Sequence, residues 1–422
     1  MNAYDTETIA SMMSKRGYEK VQDPSSADVV VVNTCSVREH AETRAINRLQ
    51  ELSRKKSRLL VVCGCMAQRM KNEIWNEVPG IDIIAGTDSY LSLPEMIDEA
   101  LGRGYKQVDT EMNHTVTYSL EADVYRSNRV SRYISITRGC DNYCTYCIVP
   151  YVRGHERSKS PDDILKELDL IASSGAKEIT LLGQNVSSYN YEGLNFLGLL
   201  KFVLKRTEFA RIRFLTTHPK DVDMGIFELM ARDERLCHHL HLPFQAGSDR
   251  ILSLMKRGYT GDQYRRIIKQ ARSIVPDLAL STDIIVGFPT EREDDFLKTI
   301  EMVEEMRFDS AFTFKYSPRE GTVAARMEND VPEEVKKERL AVLNDKVQRI
   351  RGEILGSQLG KTDQILLDGE VKKGEYHFLK GRTSHFRNVL VDRAEGMFVG
   401  DIVEARLSEL RGFTFHGVVT RR

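Results

Sequence analysis

The chain has 422 residues, 41% of them hydrophobic, which suits two to four domains with real cores at about 100–200 residues per domain. Its 61 Lys and Arg balance 62 Asp and Glu, so a uniformly basic phosphate-binding surface is excluded and any nucleic-acid contact must come from local patches. The longest apolar runs, "VVVV" and "RLLVVCGC", fall far short of the roughly 20 residues a bilayer span needs, and no signal-peptide pattern opens the chain, so a cytosolic protein is expected.

In chain order, "DTETIASMMSKRG" predicts a helix with an acidic first turn and a glycine stop. "ADVVVVNTC" is a β-branched run and predicts a buried strand; "EHAETRAINRLQELSRKKS" predicts an amphipathic helix; "RLLVVCGC" and "IDIIAG" predict two more buried strands. This alternation over 1–105 argues for a small parallel sheet with helices on both faces. It opens on a helix, whereas such a unit normally opens on a strand, so a first strand is expected to be missing. The polar stretch 106–130 reads as a linker.

Between 131 and 356, six strand-like runs recur: "RYISIT", "KEITLLG", "RIRFLT", "HHLHLP", "LALSTDIIVG" and "SAFTFKY". Helical patterns separate them, so a partial (β/α)6 barrel is expected, with its chemistry at the C-terminal ends of the strands. From 357 to 422, five short strands predict an OB-like barrel. The fold class is therefore α/β, with a small five-stranded β-barrel at the C-terminal end.

Seven cysteines stand at 35, 63, 65, 140, 144, 147 and 237. An odd count in a long chain without a secretion signal favours metal binding over disulfides. Cys140, Cys144 and Cys147 form a Cys-x3-Cys-x2-Cys loop directly after the first barrel strand. A four-iron cluster held by three thiolates leaves one iron open, and that iron can chelate the amino and carboxylate groups of S-adenosylmethionine. The competing reading is a zinc site with a distant fourth ligand, His155 or Cys237. Tyr146, between the last two cysteines, is a candidate to pack on adenine.

"TRGCDNYCTYCIVPYVRGHERS" resembles the radical S-adenosylmethionine methylthiotransferases, most closely the branch that makes 2-methylthio-dimethylallyladenosine in tRNA. "NTCSVREHAE", "GCMAQR", "LLGQNVSSY", "HLPFQAGSDRILSLMKRGYT", "STDIIVGFPTE" and "FKYSPREGT" extend the resemblance over most of the chain. It implies a methylthiotransferase domain, a radical barrel and a C-terminal TRAM domain. It also implies two [4Fe-4S] clusters: one on Cys140, Cys144 and Cys147, and an auxiliary one on Cys35, Cys65 and a third cysteine expected just upstream of Met1. Cys63 and Cys237 read as buried thiols, although Cys63 is expected to point the same way as Cys65.

Gly183, Gln184 and Asn185 end the second barrel strand and are expected to hold the methionine end of the cofactor. Asp283, beside Ser281 and Thr282, is expected to take a ribose hydroxyl, and Gly287 to approach adenine. Gln245 is expected in the pocket; His239 and His241 are either substrate contacts or satisfied core histidines. Arg153 and Arg157 are candidates for RNA phosphates or the target base. Lys380, Arg382 and Arg387, interleaved with Phe378 and Phe386, are candidates for a single-stranded RNA loop, with a solvated face as the alternative.

What the resemblance implies is methylthiolation of carbon 2 of dimethylallyladenosine beside the anticodon. It implies two uses of S-adenosylmethionine, an electron donor such as flavodoxin or ferredoxin, and a monomer. The rival readings are threonylcarbamoyladenosine in tRNA, a ribosomal-protein aspartate, or a zinc-stabilised RNA-binding module without catalysis.

Overall fold

A computed structural model describes residues 1–36, 39–54, 59–104, 106–113, 118, 129–374 and 376–421. The chain divides into two compact units. The first comprises Met1–Ser127, Ser135–Leu170 and Ser317–Val323; the second comprises Asn128–Ile134, Ile171–Tyr316 and Ala324–Arg422.

The first unit opens with α1 (Asn2–Lys15), β1 (Val29–Thr34), α2 (Glu39–Arg54), β2 (Leu59–Gly64), α3 (Cys65–Met70) and the short α4 (Ile74–Glu77). β3 (Ile83–Ala85), α5 (Leu93–Arg103) and β4 (Gln107–Asp109) follow. The four strands form a parallel sheet in the order β1-β2-β3-β4, with β1 at an edge. Strand periodicity sorts β2 between two cores. Leu59, Val61 and Cys63 pack with Ile9 of α1 and with Leu93 and Ile97 of α5. Leu60 and Val62 pack with Leu49 and Leu52 of α2 and with Met66 of α3. β4 stands at the start of the stretch expected to be a linker. Its three residues carry a single valine, too little apolar pattern to show in the sequence. Most of the remainder of that stretch, to 128, lies outside the described residues.

β5 (Ser131–Ser135) leads into a hairpin of β6 (Thr137–Arg138) and β7 (Arg157–Ser158), which brackets the cysteine loop and the one-turn helix α6 (Val149–Arg153); α7 (Pro161–Ser173) follows. Helix α1 is fastened to this segment by buried charge. The Asp5 carboxylate accepts from Arg138 at 3.1 Å and from Arg153 at 2.6 Å. Lys159 pairs with Glu167 at 2.7 Å and donates to the Tyr4 hydroxyl at 3.0 Å.

The second unit carries β8 (Glu178–Leu182), the small hairpin β9 (Asn190–Tyr191) and β10 (Leu194–Asn195), α8 (Phe196–Arg206), β11 (Arg211–Phe214) and α9 (Gly225–Arg232). β12 (His239–His241), α10 (Asp249–Leu254), α11 (Gly261–Ile274), β13 (Ala279–Val286), α12 (Glu293–Met306), β14 (Ser310–Lys315) and the long α13 (Glu333–Gly356) complete it up to the small barrel. The strands pair as β11-β8-β5 and β12-β13-β14. Backbone bonds from Ile212 to Arg235 and from Cys237 to Ile212 join β11 to the approach of β12. All six expected barrel strands are present.

The last strands, β15 (Thr362–Lys373), β16 (Tyr376–Thr383), β17 (Asn388–Asp392), β18 (Ile402–Arg411) and β19 (Thr414–Arg421), close into a barrel in the order β15-β16-β17-β19-β18. Leu367, Leu379, Val389, Val391, Val403 and Phe415 fill it. It docks on the N-terminal ends of the strands in the same unit. Arg213 pairs with buried Glu178 at 2.6 Å and donates to the carbonyls of Thr383 and Ser384 at 2.7 and 2.8 Å. Arg211 donates to the carbonyls of Gln364 and Arg382. Phe386 lies stacked on His239, 5.0 Å between ring centroids. Asp277 bridges His238 and His385, each at 2.9 Å.

Removing one partner of a buried pair leaves an uncompensated charge, which costs about 3–5 kcal/mol. Arg213→Ala is therefore expected to lower unfolding stability by about that amount in urea titration. The double variant Arg213→Ala with Glu178→Gln is expected to recover part of the loss.

Candidate functional site

The cysteine loop is shaped by backbone as much as by thiols. Gly139 has φ +77°, and a Cβ there would lie 2.0 Å from the His155 carbonyl oxygen, so only glycine closes the neck of the loop. The Cys140 N–H donates to the Gly154 carbonyl at 3.2 Å, and the Cys147 N–H to the Cys144 carbonyl at 2.9 Å. Cys140 and Cys144 are buried; Cys147 and Tyr146 are half-buried. Burial pushes the Cys140 thiol up, which a bound cation would reverse. His155 is mostly exposed and paired with Asp141 at 2.7 Å. Cys237 is buried in the second unit, its N–H bonded to Ile212. Neither has the posture of a fourth zinc ligand. Three thiols on one loop suit an iron–sulfur cluster with an open corner.

A second sulfur site lies at the C-terminal ends of β1 and β2, where ligands gather in open α/β sheets. Cys35 follows β1, and Cys65 is the first residue of α3. Burial pushes the Cys65 thiol up, and Cys35 is close enough to add to the rise. Gly64 between strand and helix has φ +94°, and a Cβ there would meet Asn33 and Thr34 at 2.5 Å. That turn ends the strand alternation. Cys63 therefore does not point with Cys65: it lies in the core under α1 and α5, while Cys65 packs against Ile148 and Val152.

Arg153 does not face solvent as a phosphate contact would. It is 5% exposed, with Nη2 on Asp5 and Nε 3.2 Å from the Cys65 sulfur. Its Nη1 is buried without a hydrogen-bond partner. The Met1 amino group reaches the same spot, near Asp5, Arg153, Cys35 and Cys65. An unsatisfied guanidinium N–H beside two thiols fits an anionic, sulfur-rich group. Arg157 is likewise buried, forked onto Asp88 at 2.9 and 3.1 Å. Both arginines are corrected from contacts with RNA phosphates or the target base to interior ion pairs, since guanidinium groups buried on carboxylates are out of reach of a phosphate at the surface.

In the second unit, a polar file runs along β12 and β13 from their N-terminal ends toward the C-terminal side of the sheet. Ser281 lies between two histidines, bonded to His239 and His241 at 3.0 Å each; His241 is 3.6 Å from Asp283. Gln245 has φ +68°, a conformation non-glycine residues avoid at a cost of about 1–3 kcal/mol. Backbone bonds from its N–H to the Asp283 carbonyl and from the Ile285 N–H to its own carbonyl hold it there. Thr216 and Thr290, after β11 and β13, also have positive φ, so strain collects at this end of the sheet. Gln184 presents a buried Oε1 without a partner. Asn185 is different: its carbonyl oxygen accepts from Ser187 N–H and its amide donates to Asp221 at 2.7 Å. It is a turn cap whose side chain is used up, which corrects the expectation that it holds cofactor. Gly183 adjoins Gln184 and is buried. Gly287 has φ +70°, and a Cβ there would strike Lys336.

Sequence reasoning missed His218. It follows β11 in "THPKD", accepts the Lys220 N–H at Nδ1, and leaves Nε2 buried without a partner. Burial, helped by Arg257 and Lys220, pulls its pKa down to about 2, so it is neutral. A histidine just beyond a barrel strand was the available signal. Phe312 on β14 was also overlooked; it is 48% exposed, with its ring 6.1 Å from that of His241.

Of the residues expected to meet RNA in the small barrel, Lys380 is exposed. Arg382 is bound to Asp368 at 2.9 Å and lies over Phe386, while Arg387 is bound to Asp309 at 3.2 Å. Those two are corrected to docking residues. Phe386 stays 38% exposed, but His239 is stacked on its ring and the Arg213 and Arg382 guanidinium groups lie 5.0 and 4.8 Å from its centroid.

Comparison with known proteins agrees with this geometry. Residues 134–303 match the Radical SAM superfamily, and residues 1–86 match the uncharacterized protein family UPF0004. A tRNA-2-methylthio-N(6)-dimethylallyladenosine synthase of Acetivibrio thermocellus is 41% identical over 100% of this chain and 89% of its own. One of Bacteroides fragilis is 42% identical over 99% and 93%. Among solved structures, the radical S-adenosylmethionine methyltransferase TsrM of Kitasatospora setae is similar at a TM-score of 0.58, with 14% identity over 77% of this chain and 74% of that one. At that identity the likeness speaks for the fold alone.

The loop after Gln245 is clamped by α12: Ser248 and Arg250 both bond Asp295, and Gly247 N–H bonds Thr299. Burial would push the Asp295 carboxyl up, but Arg250, Ser248 and the Arg292 N–H outweigh it and hold it at about 2. A depressed folded-state pKa gives stability that is present above the ordinary 3.8 and lost as pH falls toward 2. Asp295→Asn is expected to flatten the acid limb of a pH–melting curve between those values, with little change above pH 5 beyond a constant offset.

Proposed function

The chain belongs to the radical S-adenosylmethionine methylthiotransferase family, and from that premise we propose that it methylthiolates carbon 2 of N(6)-dimethylallyladenosine beside the anticodon of tRNA. The Cys140/Cys144/Cys147 loop carries this reading, together with the activity for which relatives matched over nearly the whole chain are named. When bound, two [4Fe-4S] clusters and S-adenosylmethionine would supply one-electron cleavage of a sulfonium and the sulfur to be transferred.

The protein's own share is binding, orientation and exclusion of water. Cys140, Cys144 and Cys147 would hold one cluster through three thiolates. Cys35 and Cys65 hold the other sulfur centre. Tyr146 offers a ring to adenine. Gly183, with no side chain, lets backbone approach the cofactor, and the idle Gln184 carbonyl oxygen accepts from its amino group. Asp283 takes ribose hydroxyls, and the Gln245 N–H on the Asp283 carbonyl holds the strained backbone of Gln245 in place. Neutral His218 can donate a hydrogen bond from Nε2 without adding charge near a sulfonium. Lys380 contributes phosphate attraction in the small barrel. No helix among the described residues is long and apolar enough to cross a membrane. A cytoplasmic monomer served by a flavodoxin- or ferredoxin-type donor fits the reading.

Cys144→Ala is expected to abolish reductive formation of deoxyadenosine from S-adenosylmethionine in anaerobically reconstituted protein. Continued formation at the native rate would refute the cluster assignment. Nucleoside mass spectrometry of tRNA from a deletion strain is expected to show loss of the methylthio group with dimethylallyladenosine left behind. Loss from threonylcarbamoyladenosine instead would move the chain to another branch.

A further inference from the structure

We propose that Arg153 is a positioning residue for the sulfur-ligated centre at Cys35 and Cys65, donating to the Cys65 sulfur through Nε and presenting Nη1 to the centre's own anionic sulfur. The proposal rests on reading those two cysteines as ligands. Three observations carry it. First, the guanidinium is buried, and a buried charge persists only where it is matched. Asp5 already receives Arg138 on its other oxygen, so neutralising Asp5 occupies only the Nη2 edge of Arg153. Second, Nε is committed to sulfur, 3.2 Å from Cys65 Sγ, while Nη1 is buried with no hydrogen-bond partner and so has donors to spare. Third, the arginine is rigidly held. The Val152 carbonyl accepts the Thr87 hydroxyl at 2.6 Å, the Arg153 carbonyl accepts from Arg157 at 2.8 Å, and Arg157 is itself forked onto Asp88.

Arg153 also ends α6, the helix that begins two residues after Cys147. One short segment therefore carries a ligand of the radical-loop centre and a donor to the other centre. A positive group donating hydrogen bonds to cluster sulfur stabilises the more negative, reduced state and raises its potential.

The test isolates the second centre in a background with Cys140, Cys144 and Cys147 replaced by alanine. The proteins are reconstituted anaerobically, analysed for iron and sulfide, and titrated redox-potentiometrically by electron paramagnetic resonance. Arg153→Lys keeps a charge but loses the fork; Arg153→Met keeps the bulk and loses both. The expected result is iron content retained in Arg153→Lys with a potential shifted negative, and a larger negative shift or loss of iron in Arg153→Met. Unchanged iron and potential in both variants would overturn the proposal. So would equal damage to the radical-loop centre when the variants are made in the native background, because that marks a general structural role. A background that binds no iron would sink the ligand reading itself, a signature distinct from an unshifted potential.

Discussion

The first unit is organised around one fully buried carboxylate. Asp5 sits on the opening helix and receives two guanidinium groups that come from either side of the cysteine loop. Burial by itself would drive its proton back on; Arg153 and Arg138 instead keep it ionised. Because the charges are matched in a water-poor interior, none of the three can move without exposing the others. The loop is thereby tied to the sheet that carries Cys35 and Cys65. Thr87 and Asp88 repeat the fastening one layer away, on the Val152 carbonyl and on Arg157. Geometry in the sulfur-bearing region thus depends on ion pairs more than on apolar contact.

The second unit solves a different problem. Six strands do not close a barrel, so one end of the sheet would leave polar side chains without company. Glu178 and Arg213 satisfy each other there, and Phe386 with Arg382 covers them. The opposite end is left with strained backbone at Thr216, Gln245 and Thr290 and with unpartnered atoms on Gln184 and His218. Strained backbone and idle polar atoms just beyond the strand C-termini suit a sheet that works at that end.

Much of this was legible in the residues. The six barrel strands and the five C-terminal strands are short apolar or alternating runs set off by turns and helix patterns, and they stand where the pattern put them. The cysteine spacing was equally plain. What stayed hidden is whatever depends on direction. An arginine bound to Asp5 reads the same as one bound to phosphate, so Arg153, Arg157, Arg382 and Arg387 were all assigned outward. Asn185 looked like a ligand because Asp221, which accepts from its amide, is 36 residues away. Strand parity failed for Cys65 because Gly64 turns the chain first.

The dock of the small barrel has a consequence for how this protein can vary. Arg211 and Arg213 grip the carbonyls of Gln364, Arg382, Thr383 and Ser384. Every residue type offers the same oxygen, so this clasp is blind to side-chain identity and reads only the path of the chain. The outer face of the barrel is free to drift toward new partners while its seat stays put.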